Sequence, residues 1–315
     1  MKKLPIEITL PNGFLEAEER CGYLVTAKQK RIWSIELDLL KKLLDVCRAH
    51  DIKVQIFAGT LLGAIRHKGF IPWDDDVDVA LDRENFEKLI AIGPNEFKEP
   101  YFFQTALTDR KTFLSEARLR NSLTTAYVKG QSTLESHNGI YIDILVLDGV
   151  VRNKFLVSVQ NLFKIVIRKI LTSYNMQMVE GCIIKRLVAG IVVSLSHVLT
   201  FETWYRIYHH VLAMYTAYSN MIGLVTHSND FMQKYALTKN EFATSTMMRF
   251  EGLEVPVPVA SDAILKRIYG EYWQYPPVSK RGLWHAGQIC FDPDVPFGIY
   301  KKINSSRDGE CDEEK

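Results

Sequence analysis

The 315-residue chain has no excess of either charge: 39 Lys+Arg stand against 37 Asp+Glu, a formal net charge of +2. A dedicated nucleic-acid binder carries a marked basic excess, so a nucleic-acid partner is not expected. Cysteine is scarce and poorly spaced for metal or redox work. Cys21, Cys47, Cys182, Cys290 and Cys311 are odd in number, scattered and without a CxxC pair. That argues against a zinc site or a disulfide framework and for reduced thiols. Long hydrophobic runs are missing as well. The most apolar stretch, Leu187 to Leu199, is broken by serines and a histidine and falls short of the ~20 residues of a membrane span. No apolar h-region follows Met1-Lys2-Lys3-Leu4-Pro5, so no secretory signal is read and a cytoplasmic location is expected. There is no internal repeat. What remains is 47% hydrophobic and 24% charged, an ordinary globular composition with length for one large or two ordinary domains.

Along the chain, residues 1–26 read as an irregular N-terminal arm. Ala27 to His50 reads as an amphipathic helix, with Trp33, Leu37, Leu40 and Leu44 at three- and four-residue spacing. A short strand Val54–Phe57, a tight turn Ala58-Gly59-Thr60 and a helix Leu61–His67 follow, then a strand Asp76–Leu81 and a helix Arg83–Ile92. Tyr101–Thr105, Ala117–Leu119, Thr124–Val128 and Ile140–Leu147 read as further strands. Residues 27–150 therefore form a core that mixes helices and strands. Residues 151–217 are helical and apolar, with eight basic against two acidic residues, a local +6. Residues 218–306 return to mixed patterning and complete the core, with a hairpin at Phe250–Val259 and a helix at Asp262–Tyr269. Residues 307–315 read as a disordered acidic tail.

The densest chemical signal is Trp73-Asp74-Asp75-Asp76-Val77-Asp78-Val79. In a strand, Asp76 and Asp78 share one face while Val77 and Val79 bury the other. Two carboxylates so close repel each other and stay ionised cheaply only around a cation. Oxygen-only ligands favour Mg²⁺ or Mn²⁺, and Asp74 is near enough to join as an outer ligand. Upstream, Phe57-Ala58-Gly59-Thr60-Leu61-Leu62-Gly63 places a glycine turn at a helix start, a phosphate-binding geometry to which Thr60 can add a hydroxyl. Downstream, Tyr141-Ile142-Asp143-Ile144-Leu145 sets one carboxylate in an apolar strand, where an unpaired charge is costly. A third metal ligand explains Asp143. Arg66 suits diphosphate oxygens. Arg118 and Arg120 share a strand face as a second phosphate clamp. Lys280, Arg281 and His285 cluster after Pro276-Pro277 and can close over a nucleotide.

Gly-Thr, then hDhD, then hDh, on three successive strands, resembles the constellation of the nucleotidyltransferase superfamily. The run from Gly59 to Asp78, GTLLGAIRHKGFIPWDDDVD, resembles the signature of the LicD family, bacterial phosphocholine transferases related to fukutin and fukutin-related protein. Gly22-Tyr23, Lys30, Trp33, Arg118, Arg120, Gly139 to Asp148, Val255-Pro256, Tyr269-Gly270 and Tyr272 extend the likeness over about residues 20 to 290.

The resemblance implies an α/β (α+β) fold, a nucleotidyltransferase-like mixed sheet flanked by helices with a helical insertion. It also implies a CDP-linked donor such as CDP-choline, a glycan hydroxyl acceptor, often lipid-linked, and release of CMP. Asp76, Asp78 and Asp143 would hold the metal, and Asp143 or Asp74 would take the acceptor's proton. A DxD glycosyltransferase using a nucleotide sugar is the nearest rival, followed by CTP-dependent cytidylyl transfer and by an inactive membrane-surface assembly protein. The basic, apolar block 151–217 is read either as a peripheral contact with the inner face of the cytoplasmic membrane or as a helical subdomain packed on the core.

Overall fold

The computed structural model describes residues 3–128, 135–174, 194, 196, 198–282 and 289–304. The N-terminal arm contains a hairpin, β1 (Glu18–Arg20) and β2 (Tyr23–Val25), turned at Cys21 and Gly22 with φ of 54° and 71°. Three-residue strands are too short for alternation to register, so the sequence reads as irregular there. Helix α1 (Ala27–Ala49) is capped by Thr26, whose side chain accepts the Gln29 N–H. Trp33, Leu37, Leu40 and Leu44 are all buried along it.

The main sheet collects β3 (Gln55–Ile56), β4 (Asp78–Asp82), β5 (Tyr101–Gln104), β6 (Ala117–Asn121) and β8 (Ile140–Gly149), while β7 (Thr125–Val128) lies in a separate pair. Helices α2 (Ala58–His67) and α3 (Arg83–Glu96) connect the first strands. β8 is the central strand. It runs parallel to β4 and antiparallel to β6. Such mixed pairing in an α+β layer confirms the expected fold class.

After β8 come α4 (Lys154–Ser173) and α5 (Phe201–Leu212). They pack on each other through Ile167, Leu171, Phe201, Tyr205, Tyr208 and Leu212, in a cluster separate from the main core. The outer face of α4 exposes Phe155, Leu162, Ile165 and Val166, whereas Ile167 and Ile170 point inward. Lys164 also turns inward: its ammonium donates to the carbonyls of Val225 at 2.8 Å and His227 at 3.1 Å. Among the described residues, no helix is long and apolar enough to cross a membrane.

β9 (Met221–Gly223) extends the sheet from the far end of β8. It is followed by α6 (Asn229–Lys234), β10 (Leu237–Thr238) and α7 (Lys239–Ala243). A hairpin of β11 (Ser245–Phe250) and β12 (Leu253–Pro258) packs on α2 and β3. Its turn falls at Glu251-Gly252, with φ of 47° and 91°, so the strands begin five residues earlier than the pattern suggested. Helix α8 (Ser261–Tyr269) comes next. β13 (Ile289–Asp292) then pairs with β7, and α9 (Phe297–Asn304) closes the described chain. Cys21 and Cys47 are free thiols, but Cys290 is disulfide-bonded, against the reading of reduced cysteines throughout.

Candidate active site

The register of the sheet assembles the site. Asp78 at the start of β4 lies opposite Asp143 of β8, and Asp143 lies opposite Arg118 of β6. Three charged side chains from three strands therefore stand in one row, and side chains directly opposite are within contact distance. Arg118 Nε donates to Asp143 Oδ1 at 2.6 Å. Val77 and Val79 are fully buried on the other face, as alternation requires. β4 begins only at Asp78, so Asp76 sits in the lead-in loop, yet it reaches the same cavity.

That loop is fixed from α1. Gln29 Nε2 donates to the carbonyls of Pro72 at 2.9 Å and Asp74 at 3.3 Å, and Trp33 Nε1 donates to Asp74 O at 3.1 Å. One face of α1 thereby determines where the aspartates point.

The cavity in front of the row holds about 670 Å³. Its charged wall comprises Asp74, Asp76, Asp78, Glu116, Arg118 and Asp143. Gly59, Leu62 and Arg66 line it from a single face of α2. α2 begins at Ala58, which takes a φ of 47°, so the expected turn is already the first helical turn. Gly59 leaves room for a carboxylate, since a Cβ there would lie 2.9 Å from Asp74 Oδ2.

Thr60 is used differently from the phosphate contact expected. It is buried, and its hydroxyl accepts the Asp78 N–H at 2.8 Å, tying the start of β4 to α2. Arg66 lines the cavity while donating to the Tyr272 carbonyl, and its guanidinium lies 5.2 Å from the Tyr275 ring centroid. Arg120 shares the strand face of Arg118 but is not brought to the cavity. It is buried, and it bonds Gln104 and the Gly139 carbonyl. Burial, with Arg118 nearby, lowers it to about 9. Lys280 lines the cavity, and Arg281 stacks over Trp73 and Tyr275. His285 lies outside the described residues.

The electrostatics are lopsided. Burial, and then the charges of Asp76, Asp143 and Asp74, push the Asp78 carboxyl well above its ordinary range. Asp74 is raised likewise, by burial and by Asp76 and Asp75. Burial alone would lower Arg118, but Asp143, Tyr141 and Glu116 together outweigh it and hold the guanidinium charged. Behind the loop, Glu36 of α1 is fully buried, and burial and Asp75, Asp76 and Asp74 raise it strongly. Its Oε2 has no hydrogen-bond partner. The ligand atoms of Asp74, Asp75 and Asp76 lie within 4.8 Å of one another. An all-oxygen acidic set under mutual repulsion suits a hard divalent cation.

Sequence reasoning missed the aromatic part of the lining. Phe231, Tyr235, Tyr269, Tyr272 and Tyr275 line the same cavity, as does Trp73. Phe231 stacks on Tyr235 at 4.3 Å, and the Tyr235 and Tyr269 hydroxyls are 3.5 Å apart. Phe231 sits on α6, Tyr235 directly after it, Tyr269 on α8, and Tyr272 and Tyr275 in the loop after α8, where no shared spacing announces them. Glu116 was also missed, and burial first of all raises it to about 7.

Residues 51–161 match a family model described as LicD/FKTN/FKRP, nucleotidyltransferase domain. The chain is 27% identical over 248 residues to the lipopolysaccharide cholinephosphotransferase LicD of Haemophilus influenzae, which covers 76% of this chain and 89% of that protein. Two uncharacterized proteins share shorter segments. One, from Rickettsia prowazekii, is 45% identical over 56 residues, 18% of this chain and 21% of its own. The other, from Rickettsia typhi, is 45% identical over 61 residues, 19% of each chain.

Proposed function

Because the chain belongs to the LicD family, we propose that it is a phosphotransferase that moves phosphocholine from CDP-choline to a hydroxyl of lipopolysaccharide or its lipid-linked precursor, releasing CMP. One observation carries this reading. A single cavity is lined both by carboxylates with Arg118 and by tyrosines with Phe231. A CDP-alcohol ending in a quaternary ammonium needs both: a charged site for its diphosphate, and aromatic faces for its cation.

Asp76, Asp78 and Asp143 would hold a Mg²⁺ or Mn²⁺, whose charge would neutralise the diphosphate and the departing CMP. Arg118, held by Asp143, offers its remaining N–H groups to a phosphate oxygen. The aromatic residues orient the choline end, Lys280 lines the same cavity, and Arg281 stacks over Trp73 and Tyr275 of its lining. Phosphoryl transfer asks the protein mainly for such positioning.

The test is direct. Purified chain with CDP-choline, Mg²⁺ and lipopolysaccharide should release CMP, and EDTA should stop it. Release of UMP or UDP from nucleotide sugars, with none of CMP, would overturn the reading.

The outward face of α4 supports work at a membrane surface. Phe155 is 73% and Leu162 61% exposed there, Lys154 and Lys169 lie on the same helix, and the helix has no acidic residue. Such a face suits the interface of an anionic leaflet. In flotation, the chain should rise with anionic vesicles at low salt and less so with Phe155→Ser and Leu162→Ser. A chain that stays at the bottom in both cases rules out this attachment.

A further inference from the structure

Transfer needs a group that takes the acceptor's proton, and the metal row is poorly placed to supply it. Asp143 accepts from Arg118 through Oδ1 and is one of the groups proposed to hold the cation. Asp74, Asp76 and Asp78 belong to the mutually repelling set described above. Glu271 lines the cavity but is exposed. That leaves Glu116, half-buried just before β6, on the strand face of Arg118 and lining the same cavity.

Thr226 Oγ1 donates to Glu116 Oε1 at 2.7 Å, and the same hydroxyl lies 2.9 Å from His227 Nδ1. A carboxylate only accepts, so the threonine proton goes to Glu116 and the hydroxyl accepts from Nδ1–H. The directed chain is His227 to Thr226 to Glu116. Lys164 of α4 secures it from behind by bonding the carbonyls of Val225 and His227. The other groups that bear on Glu116 are Asp78 on β4, Arg118 on β6, Asp143 and Asp148 on β8, and Tyr205 and Tyr208 on α5.

We propose that Glu116 is the general base for the acceptor hydroxyl, with Thr226 and His227 as its positioning residues. This rests on the transferase reading above. In the step, the acceptor O–H bond breaks and its proton passes to Glu116. The acceptor oxygen bonds the phosphorus that carries choline. The bond from that phosphorus to the CMP oxygen breaks, and CMP leaves with the electron pair. A base working near neutral pH is most effective with a pKa near the operating pH.

The experiment measures CMP release from CDP-choline with lipopolysaccharide across pH, and donor binding by calorimetry. Glu116→Gln should lower kcat by about 10²- to 10⁴-fold while binding CDP-choline as the wild type does, and Glu116→Asp should recover part of the loss. Burial and the charges of Asp143 and Asp148 raise the Glu116 carboxyl, and the Thr226 hydroxyl, with Arg118, holds it down. Thr226→Val should therefore move the acid limb of the kcat/KM profile to higher pH. An active wild type with an equally active Glu116→Gln, a Glu116→Gln that no longer binds donor, or a Thr226→Val with an unmoved limb overturns the assignment alone. A wild type that releases no CMP overturns the transferase reading and this assignment with it.

Discussion

Asp78→Asn should abolish turnover while making the metal-free protein more stable. Asp78 lies in register with Asp143 and shares the cavity with Asp74, Asp76 and Glu116. After burial, the charges that bear on it most, those of Asp76, Asp143, Asp74 and Glu116, are all negative. Replacing it by a neutral isostere removes one donor from the cation set but relieves the repulsion. Loss of at least about a thousand-fold in kcat/KM is expected, roughly 4 kcal/mol of transition-state stabilisation. Stability should move the other way. The folded-state pKa of Asp78 is raised, so its contribution is present below the unfolded value of about 3.9 and is lost as pH rises through the folded value. Metal-free wild type should therefore weaken as pH climbs above the acid range, and Asp78→Asn should weaken less. Mg²⁺ should raise the melting temperature of the wild type but not of the variant. Thermal melts with EDTA and with Mg²⁺ at several pH values decide the matter. An Asp78→Asn protein that turns over normally, or that melts lower than metal-free wild type at neutral pH, contradicts this account.

The largest loss of stability is expected at Arg83, the first residue of α3. Its guanidinium grips Asp148 of β8 with two hydrogen bonds, Nε to Oδ1 at 2.7 Å and Nη2 to Oδ2. The Asp148 side chain is entirely shielded, and that of Arg83 is only 8% exposed. The third nitrogen lies 2.9 Å from His209 Nδ1 on α5, so one side chain joins α3, β8 and α5. Burial, and then Arg83, keep His209 neutral, with a pKa lowered to about 3. Arg83→Met would strand a buried carboxylate, and such breakages cost about 3–5 kcal/mol. The cost should grow as pH rises through the acid range, because the unpaired Asp148 would then favour its protonated form. Urea titration measures it directly. The double variant Arg83→Met/Asp148→Leu should recover much of the loss, since replacing both partners removes the orphaned charge. A single variant within about 1 kcal/mol of wild type would mean that the ion pair is dispensable.

The parts of the site legible in the sequence are those built from rare local patterns. Carboxylates alternating with valines in Asp76-Val77-Asp78-Val79, and one aspartate inside an isoleucine-rich strand, are costly arrangements. Their cost marks them before any fold is known. The register between them was not legible, because Asp78 and Asp143 meet through pairing of strands distant in sequence. The same reasoning misread Thr60 and Arg120. Each lies at the right spacing, but spacing does not reveal that the Asp78 N–H needs an acceptor or that Gln104 and Gly139 O wait beneath Arg120. Glu116 carried no signal at all. A single glutamate beside Ser115, with Lys111 and Thr112 shortly before it, looks like any solvated turn. Only the packing of β6 beside Thr226 gives it a partner. Short elements such as β1, β2, β9 and β10 escaped for a related reason: two or three residues cannot display a period.

The two parts of the cavity lining have separate origins in the chain. The carboxylates and arginines assigned to metal or diphosphate, from Arg66 to Asp143, fall within the span that matches the family model, residues 51–161. The aromatic residues of the lining from Phe231 to Tyr275 lie beyond it. Reactivity and selectivity can therefore be inherited separately. On the proposed function, a lineage can exchange the aromatic residues, and so accept a bulkier or uncharged alcohol, without disturbing the carboxylates proposed to handle the diphosphate. For engineering, that makes Phe231, Tyr235, Tyr269 and Tyr275 the positions to randomise when a new headgroup is wanted, with the acidic strands left intact.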